Sequence, residues 1–215
     1  MKNYLLLFFF ISISIQAQDP LRFKNEVDAI QKKYDTLWDA SRETIVFTGS
    51  SSVRIWKTLE SSFPNHQIVN SGFGGSEASD LLAYSNELIY RFKPKKVFIY
   101  EGDNDINSKK KPKRIISDMQ LIIAGIRAQN PNTKIVLIAA KPSLARWNHR
   151  RNYKRLNRKF KKLSKNDPLI DYVDVWRPML IGRKVKPDIF IADGLHMNEK
   201  GYRIWYETIK DYIGE

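Results

Sequence analysis

Apolar residues along the chain fall into two alternating patterns. Phe23, Val27, Ile30 and Tyr34 recur every three to four positions behind Asp19-Pro20, which predicts an amphipathic helix opened by a capping aspartate and a first-turn proline. Short, nearly uniform β-rich runs follow at 45–47, 67–69, 96–100, 135–138 and 170–175. Between and after them lie stretches long enough for helices, at 77–92, 112–129, 148–164 and 198–212. Runs that are apolar at every position, each separated from the next by a helical segment, predict a parallel sheet covered on both faces. The expected fold class is therefore α/β: a three-layer α/β/α sandwich, flavodoxin-like, around a five-stranded parallel sheet.

Residues 1–18 stand apart from this alternation. Lys2 precedes an apolar run at 5–15, and small and polar residues surround Ala17, the layout of a signal peptide cleaved near Ala17 or Gln18. Spanning a bilayer takes roughly 20 apolar residues, so no transmembrane anchor is expected from so short a run. The expectation is a secreted or periplasmic chain whose residues 19–215 form one domain.

Composition narrows the chemistry. The 215 residues are 42% hydrophobic, enough for a sizeable core, and include no cysteine. A thiol nucleophile, a disulfide framework, an iron–sulfur cluster and a Cys-type zinc site are thereby excluded. The 37 Lys and Arg outnumber 23 Asp and Glu, but 18 of the basic residues and only one acid, Asp118, lie within 109–165. That segment carries +17 and the rest of the chain −3. Within 146–165 there are ten basic residues and no acid, while Tyr153, Leu156, Phe160 and Leu163 mark one apolar helical stripe. The plain reading is a helix packed on the sheet with a solvated basic face. The functional reading is attraction to an anionic polysaccharide or envelope surface. Nucleic acid is not expected, because the signal removes the chain from it and no recognised binding motif is present.

In parallel α/β sheets the ligand crevice lies beyond the carboxyl ends of the strands. Thr48-Gly49-Ser50-Ser51-Ser52 follows the first run, a place where a serine can be either a helix cap or a displayed nucleophile. Asn70-Ser71-Gly72-Phe73-Gly74-Gly75-Ser76 follows the second, where glycines permit positive φ and an exposed peptide N–H. Glu101-Gly102-Asp103-Asn104-Asp105 follows the third, where an asparagine is either a turn former or a donor. Asp193-Gly194-Leu195-His196 precedes the last helix. Its aspartate can orient the imidazole through Nδ1 and leave Nε2 free as a base, the alternatives being a cap with a surface histidine or a mixed metal site.

Taken in order, these four blocks resemble the SGNH-hydrolase superfamily, the GDSL-type esterases and lipases, over about 44–213. The resemblance implies a serine esterase or acylhydrolase acting on carboxylic esters, without cofactor or metal. It implies Ser51 as nucleophile, Asp193 and His196 as the other catalytic residues, and an oxyanion hole made by Ser51, Gly75 and Asn104. The first block departs from the family pattern: Ser50 stands where the family usually has Asp, and Ser52 where it has Leu. Three adjacent serines leave Ser50 as a lesser candidate nucleophile. Lys141-Pro142-Ser143 with Arg146-Trp147 also resembles a subgroup of the family, with no catalytic part assigned to it. The expected substrate is a small-molecule or carbohydrate ester, such as an O-acetylated sugar, because no long apolar insertion marks a lid. The alternative is a non-catalytic envelope or glycan-binding protein on the same fold.

Overall fold

A computed structural model describes residues 19–214; the signal-peptide expectation for 1–18 lies outside the described residues. Five strands form one sheet: β1 (Thr44–Gly49), β2 (Gln67–Gly72), β3 (Lys96–Tyr100), β4 (Lys134–Ile138) and β5 (Ile170–Val173). Their order is β2-β1-β3-β4-β5 and every pairing is parallel. The fold expected from the sequence is the one observed. The helices are α1 (Lys24–Leu37), α2 (Ser51–Arg54), α3 (Leu59–Ser62), α4 (Ala78–Ala83), α5 (Ser85–Leu88), α6 (Asp103–Asn107), α7 (Pro112–Gln129), α8 (Arg150–Asn166) and α9 (Glu199–Ile209).

Side chains alternate across the strands and so build two cores, one on each face of the sheet. Val46, Val69, Val97, Ile99, Ile135 and Leu137 pack under residues of α1, α4, α5, α7 and α8. Ile45, Phe47, Phe98, Tyr100, Val136 and Ile138 point the other way, toward residues of α2, α3 and α9. Phe47 and Phe98 are register partners on β1 and β3, and their rings stack at 4.2 Å. Trp205 of α9 closes this second core edge-on against Tyr100, at 4.9 Å. Burying a ring of this size stabilises by about 1.5–3 kcal/mol, so the aromatic layer fixes where α9, and the turn before it, sits.

Two features depart from the pattern. The stretch 77–92 is α4, α5 and a 3-10 turn at Tyr90–Phe92 rather than one helix. The Ser85 hydroxyl donates to the Leu81 carbonyl at 2.8 Å, competing with the backbone for that acceptor just where α4 ends. A two-stranded antiparallel hairpin, β6 (Leu180–Ile181) with β7 (Lys184–Val185), is additional to the expected strands. Helix α8 buries Tyr153, Leu156 and Phe160 and packs beside β5, an edge strand of the sheet. Among the described residues no helix is long and apolar enough to cross a membrane.

Candidate active site

The carboxyl ends of β1, β2 and β3 and the turn before α9 meet in one place. At the end of β1 the backbone of Gly49 has φ +119°, and a Cβ there would lie 2.0 Å from the Tyr100 carbonyl oxygen. Only glycine fits so close an approach in that conformation. The chain then turns, with Ser50 N–H donating to the Tyr100 carbonyl at 3.1 Å, and α2 starts at Ser51. Ser50 is 2% exposed and serves as the N-cap residue, its carbonyl accepting from Val53 and Arg54. Ser51 is half-buried, and its Oγ lies 2.9 Å from His196 Nε2. Of the two candidate serines, Ser51 is the one brought to the histidine.

The histidine turn is built by its neighbours. Phe190 and Met197 form an antiparallel bridge, and Ile191 N–H donates to the His196 carbonyl at 2.9 Å. Asn198 caps α9 by accepting from Lys200 and Gly201 N–H, and its Nδ2 donates back to the carbonyls of Asp188 and Phe190. Within the turn, Asp193 Oδ1 accepts from the N–H groups of Leu195 (2.8 Å) and His196 (2.9 Å), while Oδ2 lies 2.6 Å from His196 Nδ1. Slight burial pushes the Asp193 pKa up, but the Leu195 N–H, the His196 side chain and the His196 N–H outweigh it and hold the pKa at about 2. A carboxylate ionised over this range selects the tautomer with its proton on Nδ1, which leaves Nε2 as an acceptor for the Ser51 hydroxyl.

Three donors stand near the ends of these strands. Ser51 N–H belongs to the first turn of α2, and Gly75 is exposed with φ +75°. Among the described residues neither N–H is hydrogen-bonded, whereas the neighbouring Gly74 N–H is taken by Glu26 Oε1 at 2.9 Å. Asn104 donates from Nδ2 to the Ser76 carbonyl at 2.8 Å and accepts at Oδ1 from Arg146 Nη1 at 3.1 Å. Guanidinium only donates and a carbonyl only accepts, so these two partners set which end of the amide is which. The second Nδ2 proton remains available.

Behind the asparagine lies a buried charge cluster to which the sequence pattern assigns no part. Asp103 is 4% exposed. It accepts from Tyr153 OH (2.6 Å), Arg146 Nη1 (2.6 Å) and Tyr100 OH (3.0 Å), and its Oδ2 is 3.5 Å from Lys141 Nζ. Burial works against the Asp103 charge, but Lys141 and Arg146 outweigh it and bring the pKa to about 2. Burial likewise lowers the Lys141 pKa, opposed by the Asp103 charge. Lys141 Nζ also donates to the Leu195 carbonyl, next to His196, at 2.8 Å, and Ala145 N–H donates to the Gly194 carbonyl at 3.1 Å. The segment after β4 therefore ties the asparagine loop to the histidine turn. Its signals in the sequence are the Lys141-Pro142-Ser143 and Arg146-Trp147 pattern and a lysine soon after an apolar strand, which is costly to bury without a counter-ion.

A second acidic group lies under the glycine turn. Ser76 Oγ donates to Glu101 Oε1 at 2.7 Å, and both Asp105 oxygens lie 3.2–3.3 Å from Ala78 N–H. Burial, followed by the Asp105 charge, raises the Glu101 pKa well above the usual carboxylate value. Burial, partly offset by Lys110, raises that of Asp105 to about 7.

The geometry thus joins Ser51, His196 and Asp193 in one hydrogen-bonded row and leaves Asn104 held between Ser76 and Arg146. Solved structures share the architecture. A Streptococcus pneumonia protein is 24% identical with a TM-score of 0.77, over 89% of this chain and 94% of that one. A GDSL-like lipase from Bacteroides thetaiotaomicron is 20% identical with a TM-score of 0.74, over 91% and 97%. An acetyl-xylooligosaccharide esterase from Geobacillus Stearmophilus, solved as a mutant, is 18% identical with a TM-score of 0.67, over 80% and 94%. No curated protein matches the chain in sequence. The profile of the GDSL-like Lipase/Acylhydrolase family matches residues 27–204, which takes in all four loop blocks. The chain therefore belongs to the GDSL-like lipase/acylhydrolase family and is an ester-hydrolysing enzyme.

Proposed function

We propose that the protein is a secreted serine esterase that removes short acyl groups, acetyl first among them, from carbohydrate. The observation that carries this is the unbroken row from Ser51 Oγ through His196 to Asp193, at 2.9 and 2.6 Å. His196 Nε2 takes the Ser51 proton as Oγ attacks the ester carbonyl. The oxyanion that forms is met by Ser51 N–H, Gly75 N–H and the free Nδ2 proton of Asn104. His196 then protonates the leaving alcohol, and water repeats the cycle on the acyl-enzyme.

Openness of the site supports a small acyl group. Gly75 and Asp193 are exposed, His196 and Asn104 half-buried, and only two residues separate β3 from α6. Among the described residues the connection after β3 is too short to roof the serine, and exposed Leu144 and Ile191 beside the histidine turn offer a small apolar surface, enough for a short acyl group. The structural likeness to an acetyl-xylooligosaccharide esterase agrees with that choice. The signal-like layout of 1–18 supports secretion.

The test is labelling with a fluorophosphonate and mapping of the adduct. One equivalent on Ser51, absent from Ser51→Ala, together with acetate release from acetylated xylan by the wild type alone, is the expected result. No adduct under conditions that label a control hydrolase would leave a non-catalytic glycan-binding protein on this fold.

A further inference from the structure

Helix α8 carries more positive charge than packing requires, and the charge is arranged around a cavity. Arg151, Lys154, Arg155, Arg158 and Lys161 form one wall of a groove of about 780 Å³. Tyr172 of β5 and the following Asp174, Trp176, Arg177 and Leu180 form the other. This volume is in the range of ligand sites, about 300–1,000 Å³. Among the described residues none of the five α8 cations pairs with a carboxylate. The one acid in the lining, Asp174, is occupied by Trp176 N–H, Arg177 N–H and Arg177 Nε. Like charges gathered in a concavity with apolar walls focus a positive field and hold it for an anion.

We propose that this groove binds an acidic polysaccharide, a chain bearing repeated carboxylates, and that it holds the polymer beside the esterase site. The cations recur along α8 about one helical turn, 5.4 Å, apart, so a row of charge on the protein meets a row of charge on the ligand. The walls favour sugar over other polyanions. Trp176 is 6% exposed and stacks on Trp147 at 5.9 Å, so its face is closed to a nucleobase; its ring edge, half-buried Tyr172 and the aliphatic stems of Arg and Lys remain. A membrane would instead require a protruding apolar face, and this one is concave. The groove also adjoins the site: Trp147 follows Arg146, whose guanidinium touches Asn104, and its ring meets Trp176 of the groove. The notion that the bound chain is also the substrate rests on the esterase reading; the binding itself does not.

The test compares two charge-reversal pairs one residue apart on α8, all four positions being exposed. Arg158→Glu/Lys161→Glu removes two groove cations, and Lys159→Glu/Lys162→Glu makes the same change in net charge away from the lining. Binding of the full chain to polygalacturonate, neutral xylan, vesicles with half phosphatidylglycerol and single-stranded DNA is measured by calorimetry in 0.15 M salt, a level that screens diffuse attraction. We expect polygalacturonate to bind and xylan not to. The groove pair should lose affinity about tenfold or more and the control pair less than about threefold. Equal losses from the two pairs, tighter binding of vesicles or DNA, or no binding of polygalacturonate would each overturn the proposal. Turnover of p-nitrophenyl acetate, read in the same samples, should be the same in wild type and groove pair. If the wild type shows no turnover while the binding pattern holds, it is the esterase reading that fails.

Discussion

Arg146 Nη1 donates to Asn104 Oδ1 at 3.1 Å, so the Asn104 amide cannot turn over without placing its NH2 group against a guanidinium. The same nitrogen is anchored on Asp103 at 2.6 Å. Orientation of the proposed oxyanion donor is thus set from behind, by a residue that need not touch substrate.

Arg146→Ala should therefore lower kcat with little change in KM for p-nitrophenyl acetate. Removing an oxyanion donor costs about 10²–10³ in turnover, and loosening one should cost less, roughly tenfold. Arg146→Lys, which can still reach Asp103, should recover part of the loss. A rise in KM together with the fall in kcat, with no rescue by lysine, would point to a structural role instead.

Asn104→Ala tests the donor itself. Acylation geometry should survive, since Ser51 and His196 touch each other rather than Asn104. Turnover should fall by about 10²–10³. An unchanged kcat would remove Asn104 from the oxyanion hole.

Asp193→Asn should keep the turn and lose the chemistry. An amide oxygen can still accept from Leu195 and His196 N–H, but its NH2 would face Nδ1 and favour the wrong imidazole tautomer. The expected loss in kcat is on the order of 10³–10⁴, with the folded structure retained and only a modest fall in melting temperature, because the carboxylate is exposed.

Asp103→Asn addresses stability. It leaves Lys141, wholly buried, and Arg146, half-buried, without their shared counter-ion. Breaking a buried pair from one side costs about 3–5 kcal/mol, read as a shift of the urea midpoint. A neutral effect would mean that solvent reaches the cluster.

Asp105 gives a pH dependence of definite sign. Its pKa is about 7 in the folded chain against an ordinary 3.8, so between those values the folded state holds a proton that the unfolded state has released. Stability from this group is full below pH 4 and falls as pH rises through 7. At about 1.4 kcal/mol per pKa unit the upper bound is roughly 4 kcal/mol. Asp105→Asn should thus gain stability over wild type between pH 5 and pH 8, compared by urea unfolding at both. A gap that stays constant would discard the raised pKa.

Local patterns in the sequence carried most of the architecture. The five strands lie where the apolar runs lie, and α7 spans 112–129 as spaced, because burial on both faces imprints every position. The break after Ala83 and the hairpin at 180–185 left no such imprint: the first turns on one serine hydroxyl, the second on strands of two residues. At the site, blocks flanking Ser51 and His196 were readable because each is a local turn. The cluster on Asp103 was not, since Lys141, Arg146 and Tyr153 reach it from 38, 43 and 50 positions away. Nothing local in a sequence announces which distant cation a buried carboxylate will meet.

Ser51 and His196 are 145 positions apart in a chain made from its N-terminus. Until His196 is made the proposed nucleophile exists without a base, and the aromatic layer that seats the histidine turn waits on Trp205. On this reading, hydrolysis requires the chain through Trp205 to have been made and folded. The contact between Ser51 and His196 is thus a product of long-range folding, not of the local turn that displays the serine.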